Sequence, residues 1–394
     1  MGTSYPSCPM KKPKKEIDKP ARVALIRCGS YDSDKVSKAV AQSVDELGGL
    51  DRFVKRGDRV LLKPNLLVAS PADKHVTTHF EVVHAVIKLV KKAGGRPMIG
   101  DSPGIGNAVR VAAKCGISDI AKREKVEVVN FARPAEVSNP SGVTYKKFKI
   151  DQSVVNADVV INLPKLKTHG QMTLTLAVKN MFGVIPGARK TQWHLAAGAD
   201  RMQFARMLVD LYRSISPQLT VMDAVVGMQG NGPQNGEAKR IGLIAASEDA
   251  IALDAALCEI VGLKRERMPT LMAATEMGVG QTRLASMSFG GERPEDCKVA
   301  GFVFPETRDL MALFPSFLRD YVRDWLTTRP VLDSKKCEAC LICAKNCPAQ
   351  VITLHNDSLR FDLKRCIRCF CCQEMCPQGA ITVGSGPLAR LLRL

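Results

Sequence analysis

The chain has 394 residues, enough for two or three domains at roughly 150 residues each, and its 45% hydrophobic and 24% charged content is that of a globular protein. Lys plus Arg number 57 against 39 Asp plus Glu, a formal charge of +18, and no apolar run approaches the roughly 18 to 20 residues that span a bilayer. Five cysteines (Cys8, Cys28, Cys115, Cys258, Cys297) precede residue 330 while nine crowd between Cys337 and Cys376, which excludes a disulfide framework spread over the fold and points to a compact metal module on a larger body.

Residues 1–20 carry Lys11, Lys12, Lys14, Lys15 and Lys19 with no apolar stretch behind them. The expectation is a disordered basic arm rather than a secretory signal, and a reducing cytoplasm as the location. From 21 to 300 short apolar runs alternate with helical patterns. Strands are expected over 23–26, 58–65 (stopped by Pro64), 97–99, 126–129, 158–163, 220–222 and 242–245. Helices are expected over 34–47, 80–93, 107–114, 203–214 and 250–261. This alternation argues an α/β body with a largely parallel sheet flanked by helices. Over 301–330 follows a linker whose helical stretch, 309–328, sets Phe314, Phe317, Leu318, Tyr321, Val322, Trp325 and Leu326 on one face. It reads as a connector helix docking on the body. Residues 387–394 form a short amphipathic tail.

The cysteine-rich stretch reads Cys337-x2-Cys340-x2-Cys343-x3-Cys347-Pro348, then Cys366-x2-Cys369-x2-Cys372-x3-Cys376-Pro377. Two-residue gaps let a tight loop aim three thiolates at one centre. Paired CxxC motifs also make four-cysteine zinc sites, but two complete runs ending in Cys-Pro are less natural for zinc. The pattern resembles the bacterial two-cluster ferredoxins. That resemblance implies a small α+β domain over 331–386, two 4Fe–4S clusters and one-electron transfer. By the same resemblance Cys337, Cys340, Cys343 and Cys376 serve one cluster, and Cys366, Cys369, Cys372 and Cys347 the other. Cys371 falls out of register and reads as a bystander.

The body carries Lys63-Pro64-Asn65-Leu66, Thr77-Thr78-His79, Gly100-Asp101-Ser102-Pro103-Gly104, Asn162 to His169, Leu176 to Gly183, Pro186-Gly187, Lys190, His194, and Asp223 to Pro233. This succession resembles the family catalogued as domain of unknown function 362, over roughly residues 22–300, whose members often continue into a two-cluster ferredoxin tail. Phe80 departs from the family pattern, where proline follows Thr-Thr-His. The family is also similar to the lactate racemase type of α/β protein, from which no nickel cofactor is carried over.

In open parallel sheets ligands bind beyond the carboxyl ends of the strands. Lys63, Asp101, Lys165, Lys167, His169 and Asp223 sit at or just after such ends, so one positive cleft is expected. Its candidate ligand-binding residues are Lys63, Asn65, Thr77, Thr78, Ser102, Lys165, Lys167, Lys190 and Asp223. His169, His194 and Asp101 are candidates for proton transfer. Each has a plainer reading: Lys165 and Lys167 on a solvent face, His194 in an aromatic corner beside Trp193, Asp101 as a helix cap. Asp249 and Asp254 read as capping or packing residues.

With +4 on residues 331–394 and +3 on the first twenty, the remaining +11 spreads over the body without a nucleic-acid motif. An anionic small molecule and a redox partner protein are therefore the expected partners. The leading expectation is an iron–sulfur oxidoreductase whose clusters relay electrons to an anionic substrate or further cofactor in the α/β cleft. The rivals are an electron-transfer adaptor or scaffold of a redox or metallocofactor-assembly complex, and a metal-dependent isomerase or ligase with redox-sensing clusters.

Overall fold

A computed structural model describes residues 20–305, 327–356 and 358–386. Nearly all of the basic arm, nearly all of the expected connector helix and the tail lie outside the described residues.

The body is one ten-stranded mixed sheet. Along its main path the order is β12 (Met287–Gly291), β1 (Ala21–Arg27), β11 (Glu237–Ser247), β10 (Leu219–Gln229), β7 (Val159–Leu163), β2 (Arg59–Pro64), β3 (Arg96–Asp101) and β4 (Glu127–Asn130). From β10 to β4 every pairing is parallel, as the alternation of strands and helices requires. The other half is mixed: β10 and β11 form a long antiparallel hairpin, β1 pairs antiparallel with β11, and β12 adds parallel to β1. Both hairpin strands run 11 residues, well beyond the expected 220–222 and 242–245. Gly227 lies within β10 and packs so closely that a Cβ would stand 2.9 Å from Leu166.

Side-chain alternation divides the core between the two faces of the sheet. Val60, Leu62, Ile99, Ile161 and Val221 pack with the helices Ser33–Asp45 and Phe80–Lys92. Leu61, Val160, Met222 and Leu243 face the helices Arg201–Ile215 and Ala250–Ile260. Both faces are covered, so these strands read as unbroken apolar runs. Truncating a fully buried residue such as Leu61 to Ala costs about 2–5 kcal/mol.

Prolines shape the edge where the chain leaves the sheet. Pro64 ends β2 and Pro164 separates β7 from β8 (Lys165–His169), which pairs irregularly with β10 and carries β9 (Thr173–Thr175). A motif expected to follow a strand is thus itself a strand, and both of its lysines are buried. His79 caps the helix Phe80–Lys92 by accepting from Glu81 N. Phe80 therefore occupies the first helical position, a place proline also suits.

The cysteine-rich region holds two small antiparallel sheets: β13 (Arg329–Leu332) pairs with β16 (Ile381–Gly384), joining the region's two ends, and β14 (Ile352–His355) and β15 (Ser358–Phe361) form a hairpin. Its two halves repeat in backbone geometry as well as sequence. Ala339, Leu341 and Gln350 are left-handed in the first half, and Arg368, Phe370 and Gly379 in the second. Left-handed backbone at non-glycine residues costs of order 1–3 kcal/mol each and persists where surrounding structure holds it. Here it curls each Cys-x2-Cys-x2-Cys loop inward.

The second half docks on the body. Gln373 Nε2 donates to Asn231 Oδ1 at 2.7 Å and to Gly232 O at 2.8 Å, and Asn235 Nδ2 donates to Cys376 O at 2.9 Å. Gly170 admits this contact, since a Cβ there would stand 2.9 Å from Val383 and 3.2 Å from Gln373.

Candidate functional site

The cysteines fall into two sets. Cys337, Cys340, Cys343 and Cys376 line one cavity; Cys347, Cys366, Cys369 and Cys372 line another. These quartets are the ones that the repeated spacing implies. Among the described residues no three His, Cys, Asp or Glu side chains converge closely enough to hold a single metal ion. Four thiols gathered at each cavity suit the four-cysteine ligation of an iron–sulfur cluster. Backbone N–H groups point at the sulfurs, Arg368 N to Cys366 Sγ at 3.4 Å and Ala380 N to Cys376 Sγ at 3.3 Å. Cys340 is exposed, whereas Cys369 and Cys372 are buried.

A third cavity opens beyond the carboxyl ends of β2, β3 and β8. It brings together eight of the candidates: Lys63, Asn65, Asp101, Ser102, Lys167, His169, Lys190 and His194. Lys179, Thr175 and Phe182 also line its body side. Cys371, Glu374 and Met375, all from the short helix Cys371–Met375 of the cysteine region, form its far wall.

The polar groups of this cleft are held firmly. Lys63 Nζ pairs with Asp101 Oδ1 at 2.9 Å, and Asp101 also accepts from Leu66 N and Ser102 N. Asp101 thus orients Lys63 and two loops rather than capping a helix. Gly183 makes room for the pair: a Cβ there would overlap Asp101 Oδ1 and stand 2.7 Å from Lys63 Nζ. Lys167 Nζ donates to Asn65 Oδ1 at 2.8 Å and Val76 O at 2.7 Å, and Lys190 Nζ donates to Ser102 O at 2.6 Å and Ser102 Oγ at 2.7 Å. Lys179 Nζ stands 4.8 Å over the Phe182 ring. None of these last three lysines has a carboxylate within ion-pair distance among the described residues. Burial pulls Lys167 and Lys190 down to about 7, and lowers Lys63 and Lys179 as well.

His169 Nδ1 accepts from Gln171 N at 3.1 Å and Met172 N at 3.2 Å. Its hydrogen therefore sits on Nε2, which faces Glu374 Oε2 at 3.6 Å, beyond hydrogen-bond length. Burial keeps this ring neutral, while His169 and Lys179 hold Glu374 ionised against its own burial. His194 stacks on Phe204 with centroids 4.2 Å apart, so it belongs to an aromatic corner and to the cleft at once. Burial and Lys179 push it down to about 3.

Four expected ligand-binding residues lie elsewhere. Lys165 is closed into a pair with Asp223 at 2.9 Å, with Tyr31 Oη bridging them at 2.6 Å and 2.7 Å. Burial would raise Asp223, but Lys165 and the hydrogen bonds from His79 N and Tyr31 outweigh it and lower it. Thr78 Oγ1 ties Asn65 N to Leu163 O, and Thr77 is buried outside the cleft. Asp249 caps the helix Ala250–Ile260, and Asp254 accepts from Ala177 N and Val178 N. Sequence reasoning missed Lys179, Glu374 and Cys371. The thiol of Cys371 neighbours Cys369 yet lines the cleft.

Residues 60–259 match the family described as domain of unknown function (DUF362), and residues 329–377 match the 4Fe-4S dicluster domain. A curated relative, the thylakoid-associated protein sll1697 of Synechocystis sp., is 39% identical over 284 residues, 72% of this chain and 88% of that protein. The lactate racemase apoprotein from Thermoanaerobacterium thermosaccharolyticum superposes with a TM-score of 0.42 at 13% identity, covering 62% of this chain and 58% of that one. So distant a likeness carries no argument. Among the described residues no helix is long and apolar enough to cross a membrane.

Proposed function

Because the chain belongs to the family of domain of unknown function 362 and carries a 4Fe-4S dicluster domain after it, we propose an iron–sulfur redox protein in which two 4Fe–4S clusters serve an anion held in the α/β cleft. Cys337, Cys340, Cys343 and Cys376 would hold the outer cluster, and Cys347, Cys366, Cys369 and Cys372 the inner one. Such clusters supply one-electron transfer. One observation carries the reading: the cleft has a wall from each part of the chain, with Cys371, Glu374 and Met375 facing the body's lysines. A ligand there sits beside the loop of the inner quartet, while the exposed Cys340 leaves the outer quartet open to a redox partner protein.

In this reading Lys167, Lys179 and Lys190 bind the anion and Asp101 keeps Lys63 aimed at it. His169 donates its Nε2 hydrogen to the ligand. It is poorly suited to give up a proton, because Nδ1 is committed to two backbone N–H groups and the ring is neutral. The proton that accompanies an electron comes instead from Lys167 or Lys190, whose values near 7 suit general acid work at neutral pH. Thiolate-bound iron also favours a reducing, cytoplasmic setting.

The test is native mass spectrometry of protein purified without oxygen, followed by reoxidation of the reduced protein with fractionated anionic metabolites. Two four-iron clusters, a retained small molecule and a reoxidising fraction are expected. Lys190→Gln should slow that reoxidation by about tenfold or more with iron content unchanged. Clusters that no fraction reoxidises, with a stoichiometric partner protein retained instead, would replace this reading with that of an adaptor.

A further inference from the structure

The proposed function requires an anion but leaves its charge open, and the charges lining the cleft decide it. Four ammonium groups, Lys63, Lys167, Lys179 and Lys190, face two carboxylates, Asp101 and Glu374. With all four lysines protonated, the form that an anion binds, the sum is four minus two, or +2, while the buried His169 and His194 stay neutral. Asp101 is consumed by Lys63 and two backbone N–H groups. Glu374 differs: it has no ion pair shorter than the 3.6 Å approach to His169 Nε2, and it reaches the cleft only because the cysteine region docks there. His194 Nδ1, buried on this cavity without a hydrogen-bond partner, and His169 Nε2, whose facing acceptor Glu374 Oε2 stays 3.6 Å away, are further polar groups that a ligand there meets. Buried ammonium groups without carboxylates are costly unless a counter-charge completes them.

We infer that the cleft is a binding site for a small dianion, and that Glu374, contributed by the cysteine region, sets that charge. The chemistry is shared by a short dicarboxylate and a phosphoryl group. The body alone presents +3 and would favour a trianion; the docked helix trims it to +2. Glu374 is thus a specificity residue of a site that lies otherwise on the body. This rests on the reading of the cleft as an anion site but not on electron relay, so its test is binding alone.

The experiment is isothermal titration of the oxygen-free holoprotein with butyrate, succinate, tricarballylate and inorganic phosphate, iron content being measured on every sample. Wild type should bind succinate or phosphate at least about tenfold more tightly than butyrate or tricarballylate. Which of the two dianions binds better tells dicarboxylate from phosphoryl chemistry. Glu374→Gln, at unchanged iron content, should move the preference to tricarballylate, and Lys190→Gln should move it the opposite way, toward butyrate. Binding that ignores ligand charge, or a ranking left unchanged by both substitutions, overturns the proposal. In that event a protein whose clusters are still reoxidised keeps the electron-relay reading intact.

Discussion

Lys167 is 1% exposed and Lys179 8%, and their charges meet amide oxygens and aromatic faces rather than carboxylates. Desolvation without a counter-ion is what brings Lys167 and Lys190 to about 7. The groups facing them are Glu374, Asp101, Lys63, Lys165 and Lys179, so the local field is mixed but positive on balance. A bound anion raises both lysine values, and the protonated pocket is the form that binds. Affinity is therefore full below about pH 7 and falls as pH rises through 7, by up to about tenfold per unit for each lysine. Calorimetry with succinate at pH 6.5, 7.5 and 8.5 checks the slope; a flat profile removes these lysines from the site. At the same scale, Gly183→Ala should force Asp101 and Lys63 apart. The expected cost is about 1–3 kcal/mol in denaturant unfolding, together with weakened anion binding.

At the scale of elements, the docked helix Cys371–Met375 is secured by few contacts. Gln373 makes the densest set, reaching the Asn231 carbonyl and side chain and the Gly232 carbonyl. Gln373→Ala should leave those acceptors unpaired and loosen the docking by about 1–3 kcal/mol. Hydrogen exchange should then rise over 229–235 and 366–376 while the sheet stays protected; unchanged exchange in both segments would place the docking energy elsewhere. What could be read from sequence divides along the same line. The cysteine quartets were legible because the repeated spacing carries the resemblance to two-cluster ferredoxins, in which the last cysteine of each run crosses to the other set, and Cys347 and Cys376 line the cavities accordingly. Lys63 and Asp101 were legible because parallel strands deliver their carboxyl ends to one edge. Lys179 was not: it rides a one-turn helix whose first N–H groups are capped by Asp254, 77 residues further on. Lys165 misled because it and Lys167, two apart on β8, share a strand face in the ideal pattern. The irregular pairing of β8 sends one to Asp223 and the other to Asn65. Glu374 had no signal at all on the body's side, since only docking brings it there.

Taken whole, the molecule couples the two halves through that one wall. Cys372 belongs to the inner quartet and Cys376 to the outer, and Glu374 stands between them facing the lysines. The left-handed residues Arg368 and Phe370 that curl the inner loop persist only while something holds them, and liganded thiolates are the natural clamp. Iron removal should therefore relax the loop and withdraw Glu374, Cys371 and Met375 from the cleft. The body sheet, with both faces packed, should remain folded. Anion binding then serves as a reporter: chelator-treated protein should bind succinate at least about tenfold more weakly than the holoprotein, and should lose the preference for two charges as the cleft returns to its body-only charge. Anaerobic reconstitution with iron and sulfide should restore both. Equal affinity and equal charge preference with and without iron would mean that the cysteine region roofs the cleft without shaping what enters it.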